Sequence, residues 1–264
     1  MNRIRALVYK EWIDLLRNRA ALVPVLIVTV LTLVLPITIV VGIPMLSGRP
    51  LSDDASFVRL SAVAAPPRGL SVEGQVQLYL FQQFLLLFLL TPITGAMALA
   101  AHAIVGEKQN RTLEPLLGTP IRTFELLVAK VVGALVPTLA ITTIGLVFYV
   151  GAIAFCAAAG VPAAMMTART AVLVLLAGPA AALVAMQAAI VISSRVNDAR
   201  TAQQFGVLII IPLMGLLVAQ FTGSLWLSAP TLVLIGVGLL VVWVLLTLFS
   251  VALFDRETIL TRWR

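Results

Sequence analysis

Long uncharged stretches, rich in apolar residues, alternate along the chain with short charged segments. Five stretches contain no Asp, Glu, Lys or Arg, namely residues 20–48, 74–106, 131–168, 170–194 and 201–254. A transmembrane helix needs about 20 consecutive apolar residues, so each stretch is long enough to cross a bilayer. Because the apolar residues run continuously and do not alternate with polar ones, the pattern favours membrane helices over a membrane β-barrel.

The number of spans depends on how the two longest stretches are divided. Residues 201–254 are long enough for two helices, and turn-forming residues at 222–224 and 228–230 separate them. Two helices within residues 131–168 would have almost no loop, so we predict one span there, followed by an outer connection. The chain is therefore expected to form six transmembrane helices, at about residues 21–46, 78–105, 128–155, 170–193, 205–222 and 230–253.

Composition supports the same class of protein. Of the 264 residues, 61% are apolar and 11% are charged, whereas a soluble domain has roughly 45–50% apolar and about 25% charged residues. Such a chain has too few polar side chains to cover a folded surface in water. We predict an all-α membrane protein whose residues 1–264 form a single transmembrane domain in contact with the lipid bilayer.

The distribution of Lys and Arg indicates the orientation. With both termini inside, only four of the 18 basic residues fall outside, and the other 14 lie on the cytoplasmic side. The four are Arg49, Arg59, Arg68 and Arg169. Because basic residues are concentrated in cytoplasmic loops, both termini are expected to be cytoplasmic. The net charge of +7 then reflects topology and does not indicate nucleic-acid binding.

Two segments outside the spans have expected structures of their own. Residues 1–20 place apolar side chains at helical spacing opposite charged ones, which predicts an N-terminal amphipathic helix lying in the membrane interface. Residues 47–77 are rich in Pro, Gly and Ser and are too few to build a core. They are expected to form an extracytoplasmic loop that caps the bundle.

Several kinds of chemistry are excluded by the residues present. One Cys (Cys156) and one His (His102) cannot form a disulfide or a His-rich metal site, and none of the three Lys lies in a phosphate-binding loop. The interior of each predicted span also lacks the ionisable group that ion-coupled carriers generally place near mid-membrane. We expect no catalytic residue, no metal and no resident cofactor.

Polar residues within the spans have two interpretations. They form a weakly polar pathway for an amphipathic substrate, or they form hydrogen bonds between helices, which contribute about 0.6–2 kcal/mol each. The candidates for a substrate pathway are Gln82, Gln83, Thr91, Thr94 and Gln220. In the fourth span, Gly178, Ala182, Ala185 and Ala189 recur every three or four residues, which predicts a helix-packing face.

The segment between the second and third spans, residues 106–127, combines charges with apolar side chains. Thr112 is a candidate N-cap, Pro115 is tolerated in a first turn and Gly118 ends the helix, so residues 112–118 predict a short helix parallel to the membrane. It presents three leucines between charges, which either dip into lipid headgroups or fill a partner's groove. The residues concerned are Glu107, Arg111, Leu113, Glu114, Leu116, Leu117 and Arg122.

This segment, GEKQNRTLEPLLGTPIRTFELLVAK, resembles the loop between spans two and three in ABC-transporter permeases of type 2, the exporter-type membrane subunits. Three other segments are similar to parts of that family: KEWIDLLRNR near the N-terminus, SSRVNDARTAQQ between spans four and five, and FDRETILTRW in the tail. The resemblance covers essentially the whole chain.

The resemblance implies a function and partners. Residues 106–127 would contain a cytoplasmic coupling helix that docks on a separate P-loop ATPase subunit, which uses the ATP and Mg. The chain would form the translocation pathway as a dimer, with a second copy or a sister permease, in a prokaryotic plasma (inner) membrane. Two alternatives remain open from the residues: a non-transporting membrane anchor or scaffold that recruits a cytoplasmic partner, and an energy-independent secondary carrier.

Overall fold

The computed structural model describes residues 2–63, 67, 69–109, 123–195, 201, 204 and 207–253. These residues form helices and no strand, so the predicted all-α class is confirmed for the described chain. The helices are α1 Asn2–Arg17, α2 Arg19–Ile37, α3 Ile43–Ser47, α4 Ala55–Val63, α5 Val72–Phe88, α6 Leu90–Gln109, α7 Thr123–Cys156, α8 Val161–Met165, α9 Ala168–Val172, α10 Gly178–Arg195, α11 Val207–Phe221 and α12 Ala229–Leu253.

Five helical segments are long and apolar enough to cross a membrane. They are Ala21–Ser47, Val72–Gly106, Val128–Cys156, Ala168–Ser193 and Ala229–Ser250, and they correspond to the predicted first, second, third, fourth and sixth spans. The predicted fifth span corresponds to α11, a shorter apolar helix of 15 residues. The stretch 131–168 contributes one long helix, α7, as the sequence predicted. Six spans therefore remain a prediction.

Prolines explain where the spans depart from regular α-helix. Short π-helical turns occur at Thr38–Gly42 and at Leu173–Ala177. Each ends two residues before a proline, Pro44 or Pro179. A proline has no N–H to donate and its ring crowds the carbonyl four residues earlier, so the helix widens locally at the preceding turn. The second span departs in the other direction: it is interrupted at Leu89, between α5 and α6 and three residues before Pro92, where the Leu89 N–H donates to the Leu86 carbonyl only three residues back, a tighter turn than in an α-helix.

The second span lies at the centre of the bundle. Over an apolar stretch of 18 residues in each span, 83% of the residues are buried in the second span. The corresponding shares are 11% for the last span, 17% for the third and 22% for the first. Tyr149 of α7 donates a hydrogen bond from its hydroxyl to the Phe81 carbonyl of α5 at 2.8 Å. The α5–α6 pair is thus surrounded by protein, while the last span has most of its surface free for lipid or for another chain.

Small residues allow α10 to pack closely on this central span. α10 contacts α6 and α12. The predicted packing face is buried as expected, with Ala182, Ala185 and Ala189 all 0% exposed. Leu176, in the π-helical turn before α10, lies so close to Gly236 of α12 that a Cβ at Gly236 would approach it to 2.7 Å. Close helix approach is therefore built on residues without bulky side chains.

The N-terminal helix α1 folds back onto the bundle. Asn18 interrupts the helical path, and its side chain accepts a hydrogen bond from the Ala21 backbone N–H at 3.2 Å, which caps α2. α1 packs against α7, where Glu11 lies over Gly133; an added Cβ at Gly133 would be 2.8 Å from Glu11 Cβ. Its position at a membrane surface stays a prediction.

The segment predicted as the loop 47–77 contains more helix than expected. α5 begins at Val72, because Ser71 caps it by accepting a hydrogen bond from the Gly74 N–H at 3.0 Å. α4 also lies within this segment and packs against α5. The carboxylate of Glu73 accepts a hydrogen bond from the Ser52 N–H at 2.8 Å and thereby ties the segment to the end of α5.

Candidate functional site

A buried arginine occupies the end of the bundle where α9 begins. Thr167 caps α9, and its hydroxyl accepts a hydrogen bond from the Thr170 N–H at 3.2 Å. Two residues into this turn, Arg169 points inward and is only 8% exposed. The sequence had placed Arg169 in an outer connection, so its burial is a difference from expectation. We refer to this part of the molecule as the Arg169 end.

The guanidinium of Arg169 is held by three oxygen atoms from three segments. Nε donates to the Leu227 carbonyl at 2.8 Å, Nη1 to Gln82 Oε1 at 3.1 Å, and Nη2 to Gln220 Oε1 at 3.2 Å. These acceptors belong to the loop before α12, to α5 and to α11. One side chain therefore joins four segments of the bundle.

Aromatic residues complete the surroundings of Arg169. The ring of Trp226 lies under the guanidinium, with 4.3 Å from Cζ to the ring centroid. A cation over an indole ring is stabilised by about 0.5–2 kcal/mol, depending on its exposure. Trp226 also stacks on Tyr79, whose hydroxyl donates to the Gln220 carbonyl at 2.9 Å. Gly223 makes this arrangement possible, since its φ of 71° lets the chain turn sharply after α11.

The charge of Arg169 has no carboxylate partner within the described residues, where no Asp or Glu oxygen lies within ion-pair distance of it. Its ligands are neutral amides, a carbonyl and a ring. Polar atoms nearby are also left without hydrogen bonds to described residues, including Gln220 Nε2 and both amide atoms of Gln83. The Arg169 end is therefore electropositive and retains unused hydrogen-bonding capacity.

The five predicted pathway residues fall into two groups. Gln82 and Gln220 meet at Arg169, and Gln83 is fully buried beside them on α5. Thr91 lies further along the second span, where its hydroxyl pairs with that of Thr32 at 3.1 Å. Thr94 returns its hydroxyl to the Leu90 carbonyl of its own helix at 2.6 Å. The contacts seen for Gln82, Gln220 and Thr91 join helices to one another; the pathway role stays a prediction.

An apolar cavity of about 140 Å³ lies between the second, fourth and last spans and α11. All of its lining residues are apolar: Leu86, Leu89, Ile93, Leu173, Ala177, Ala181, Val184, Pro212, Leu213, Leu216, Leu227, Leu232, Ile235 and Leu239. Leu227 connects this cavity with the Arg169 end, since its carbonyl accepts the Arg169 hydrogen bond and its side chain lines the cavity.

A second buried cation lies at the opposite end of the bundle, which we call the Lys130 end. Lys130 is 4% exposed, and its Nζ lies 3.4 Å from Glu11 Oε1 and donates to the Ala103 carbonyl at 3.0 Å. A small cavity of about 50 Å³ adjoins this pair and is also lined by Asp14 and His102. The ion pair joins α1 to the ends of α6 and α7.

The predicted coupling residues lie next to the Lys130 end in the chain. Glu107 is in the last turns of α6, and α7 begins at Thr123. The side chain of Glu107 lies outside the described part of the structure, as do six whole residues: Arg111, Leu113, Glu114, Leu116, Leu117 and Arg122. The predicted coupling helix over residues 112–118 is likewise outside it. Among the side chains that the structure describes, no three His, Cys, Asp or Glu are close enough to hold a metal ion.

Sequence reasoning missed the Arg169 cluster. The one available signal is that a single Arg separates two long uncharged stretches, 131–168 and 170–194. A flanking charge of this kind normally indicates the end of a span. Nothing local shows that Arg169 turns inward, because its partners are Gln82, Gln220 and Leu227 in distant segments.

Comparison with known proteins places this bundle in a family. A family model described as ABC-2 family transporter protein matches residues 5–223, and no curated protein matches the chain. The match covers most of the chain, including most of α1 and the helices that carry the two buried cations. The match supports a multi-pass helical membrane protein with a permease-type role in transport. The chain belongs to the ABC-2 transporter family, whose membrane subunits work with an ABC ATPase.

Proposed function

We propose that this chain is the membrane-spanning permease subunit of an ABC exporter, driven by a separate P-loop ATPase. The observation that carries the proposal is the family match over residues 5–223 of an all-helical, apolar bundle. The ATPase partner would bind and hydrolyse ATP with Mg, and the permease would supply the pathway through the inner membrane.

The geometry of the Lys130 end supports a coupling role for residues 106–127. These residues connect α6 with α7, and both helices are fastened to α1 through Lys130, Ala103 and Glu11. A force applied to the connection would therefore reach three helices together. In this proposal the Lys130 end and both termini are cytoplasmic, and α1 lies in the membrane interface.

Exposed apolar faces support a dimer in the bilayer. α2 exposes Leu26, Ile27 and Val30, and α12 exposes Leu234, Leu245 and Leu248. A second permease copy or a sister permease would cover one of these faces, and lipid would cover the rest. α11 then serves as the fifth of six spans.

The substrate pathway is proposed to involve the polar residues of the second span and α11. Gln83 and Gln220 carry buried amide atoms without partners among the described residues, so they retain hydrogen-bonding capacity for a passing substrate. Gln82, Thr91 and Thr94 are engaged with neighbouring helices or with their own helix in this conformation.

The proposal is tested by substituting Leu117, in the predicted coupling helix, with Asp. Burying a leucine in a partner's groove contributes about 1.5–3 kcal/mol, and a buried carboxylate adds a desolvation cost. A loss of about 3 kcal/mol weakens the contact more than a hundredfold. We expect Leu117→Asp to lose co-purification of the ATPase encoded with this protein, and to lose transport in vesicles, while remaining inserted.

The matched control is Leu46→Asp, the same side-chain change at a residue that is 90% exposed at the opposite end of the bundle. It should retain both the ATPase and transport. Wild-type binding and transport in Leu117→Asp would overturn the coupling assignment. A partner without ATPase activity would favour the scaffold alternative, and transport without any partner would favour the secondary carrier.

A further inference from the structure

Arg169 and the two glutamines that bind it lie on the helix faces that line the apolar cavity, at one end of those faces. Arg169 is followed at helical spacing by Leu173, Ala177, Ala181 and Val184; Gln82 is followed by Leu86, Leu89 and Ile93; Gln220 is preceded by Leu216 and Leu213. In a helix, residues three or four apart lie on one face. The three hydrogen-bonding side chains therefore stand about one turn beyond the apolar lining, at one end of the cavity.

The cavity is large enough for part of a hydrocarbon chain. Its volume of about 140 Å³ is close to that of the engineered apolar cavity of about 150 Å³ that stays dry and binds benzene. It has room for roughly six chain carbons by the same comparison. Its purely apolar lining offers water no hydrogen-bond partner, so an apolar occupant is favoured.

The polar end of the cavity is complementary to an anion. Arg169 has five N–H donors, and three of them are used by Leu227, Gln82 and Gln220. Gln220 Nε2 is a further donor that is buried and has no partner within the described residues. No carboxylate of the described chain neutralises the guanidinium. An oxyanion would accept these donors and balance the charge.

We propose that the Arg169 end and the adjoining cavity form a binding site for an anionic phospholipid of the surrounding bilayer. The phosphate oxygens lie against the free N–H groups of Arg169 and Gln220, and the end of one acyl chain occupies the cavity. A membrane lipid is the occupant because α11 and α12, which form one wall of the cavity, expose apolar residues on their other faces, including Ile211 and Val237. Only this single layer of helices separates the cavity from the apolar surface of the bundle.

Headgroup charge decides which lipids fit. A zwitterionic phosphatidylcholine would bring its own quaternary ammonium close to Arg169, where no described carboxylate could receive it. A phosphatidylglycerol carries a single negative charge and no cation. The site should therefore prefer phosphatidylglycerol over phosphatidylcholine, and the preference should require both the charge of Arg169 and an empty cavity.

Trp226 provides a local reporter, because it lies under the guanidinium and next to cavity residue Leu227. The full chain, with Trp12, Trp243 and Trp263 replaced by Phe, is placed in phosphatidylcholine nanodiscs. Its fluorescence is then measured against increasing fractions of acyl-brominated phosphatidylglycerol or acyl-brominated phosphatidylcholine. We expect half-maximal quenching by phosphatidylglycerol at a fraction about tenfold lower, which corresponds to about 1.4 kcal/mol.

Two variants test the two parts of the site. Arg169→Gln removes the charge, and Ala181→Leu fills the cavity; each should make the two lipids quench equally. Arg59→Gln, which removes an exposed arginine on α4, is the matched control and should keep the preference. Thermal unfolding of each variant checks that it is folded.

If both lipids quench Trp226 equally in the protein that keeps Arg169 and Ala181, the proposal is overturned, and no further variant is needed. A preference that survives Arg169→Gln or Ala181→Leu would also overturn it. If Arg169→Gln does not fold, the parent titration and Ala181→Leu still decide. The measurement uses no ATPase, so its outcome is independent of the proposed transport function.

Discussion

Arg169 and Lys130 are two cations buried at opposite ends of the same bundle, and they are stabilised differently. Lys130 is paired with Glu11, a carboxylate on α1, and with a backbone carbonyl. Arg169 is held by two glutamine amides, a carbonyl and an indole ring. The first arrangement balances one charge with another within the chain, whereas the second leaves a positive charge at the Arg169 end.

The difference matters because burying a charge is costly unless it is compensated. An unpaired ion transferred from water to a protein interior costs several kcal/mol even after relaxation. At the Lys130 end, the carboxylate of Glu11 compensates the charge of Lys130. Because Glu11 belongs to α1, this ion pair also fastens α1 to the bundle. At the Arg169 end, the planar guanidinium spreads five donors over a wider area than the three donors on the single nitrogen of an ammonium group, so it reaches neutral oxygens on three separate segments. We infer that the first end is built for attachment of α1 and the second for joining spans around a site.

The largest effect is expected from Arg169→Met. It removes three hydrogen bonds and leaves the Gln82 and Gln220 side-chain oxygens and the Leu227 carbonyl buried without donors, and each such acceptor costs about 1–3 kcal/mol. Unfolding free energy in detergent–denaturant titrations measures this cost. Arg59→Met, at an exposed position, should change stability by less than about 0.5 kcal/mol. Equal stabilities of the two variants would show that Arg169 does not hold the spans together.

A smaller effect is expected from breaking the pair at the Lys130 end. A double-mutant cycle with Glu11→Gln and Lys130→Met isolates their interaction, which should be about 0.5–3 kcal/mol for contacting residues. Gln keeps a hydrogen-bonding group in place of the carboxylate, so the loss should be less than for Arg169→Met. A coupling energy near zero would mean that other contacts fasten α1 to α7.

Replacing a glycine of α7 with alanine is expected to destabilise the protein at one position and to stabilise it at another, because only one of the two glycines is closely packed. Gly133→Ala would place a Cβ 2.8 Å from Glu11 Cβ and force α1 away from α7, at a cost of about 1–3 kcal/mol. Gly151→Ala meets nothing within 4 Å and should instead stabilise the helix by about 0.5–1 kcal/mol. Thermal unfolding compares the two, and a destabilised Gly151→Ala would point to a neighbour outside the described contacts.

The smallest effect is expected at the neutral contact between Thr32 and Thr91, which lies between the two charged ends. Thr91→Val removes this inter-helix hydrogen bond, and such bonds average about 0.6 kcal/mol in membrane proteins. Thr94→Val is the matched control, since its hydroxyl bonds only to its own helix, and should leave unfolding unchanged. A larger loss at Thr94 than at Thr91 would contradict the assigned partners.

The positions of the membrane helices could be predicted closely from the sequence. Five of the six predicted spans correspond to helices long enough to cross a bilayer, and the small residues of the fourth span form the expected packing face. The start of the second span at Val72 was missed, because the polar residues Glu73, Gln75 and Gln77 hide the helix that Ser71 caps. Their side chains contact neighbouring segments, and a hydropathy pattern does not record such contacts.

Which residues form the candidate site was decided by tertiary structure. The amino-acid sequence by itself determined an all-helical membrane bundle, because the length of an apolar stretch is a sufficient test for crossing lipid. It also determined the family, through motifs along the chain. It could not determine that Arg169 is buried, because the acceptors at Leu227, Gln82 and Gln220 are 58, 87 and 51 residues away in the chain. A buried charge is stable only where such partners converge, and their convergence exists only after the spans have packed.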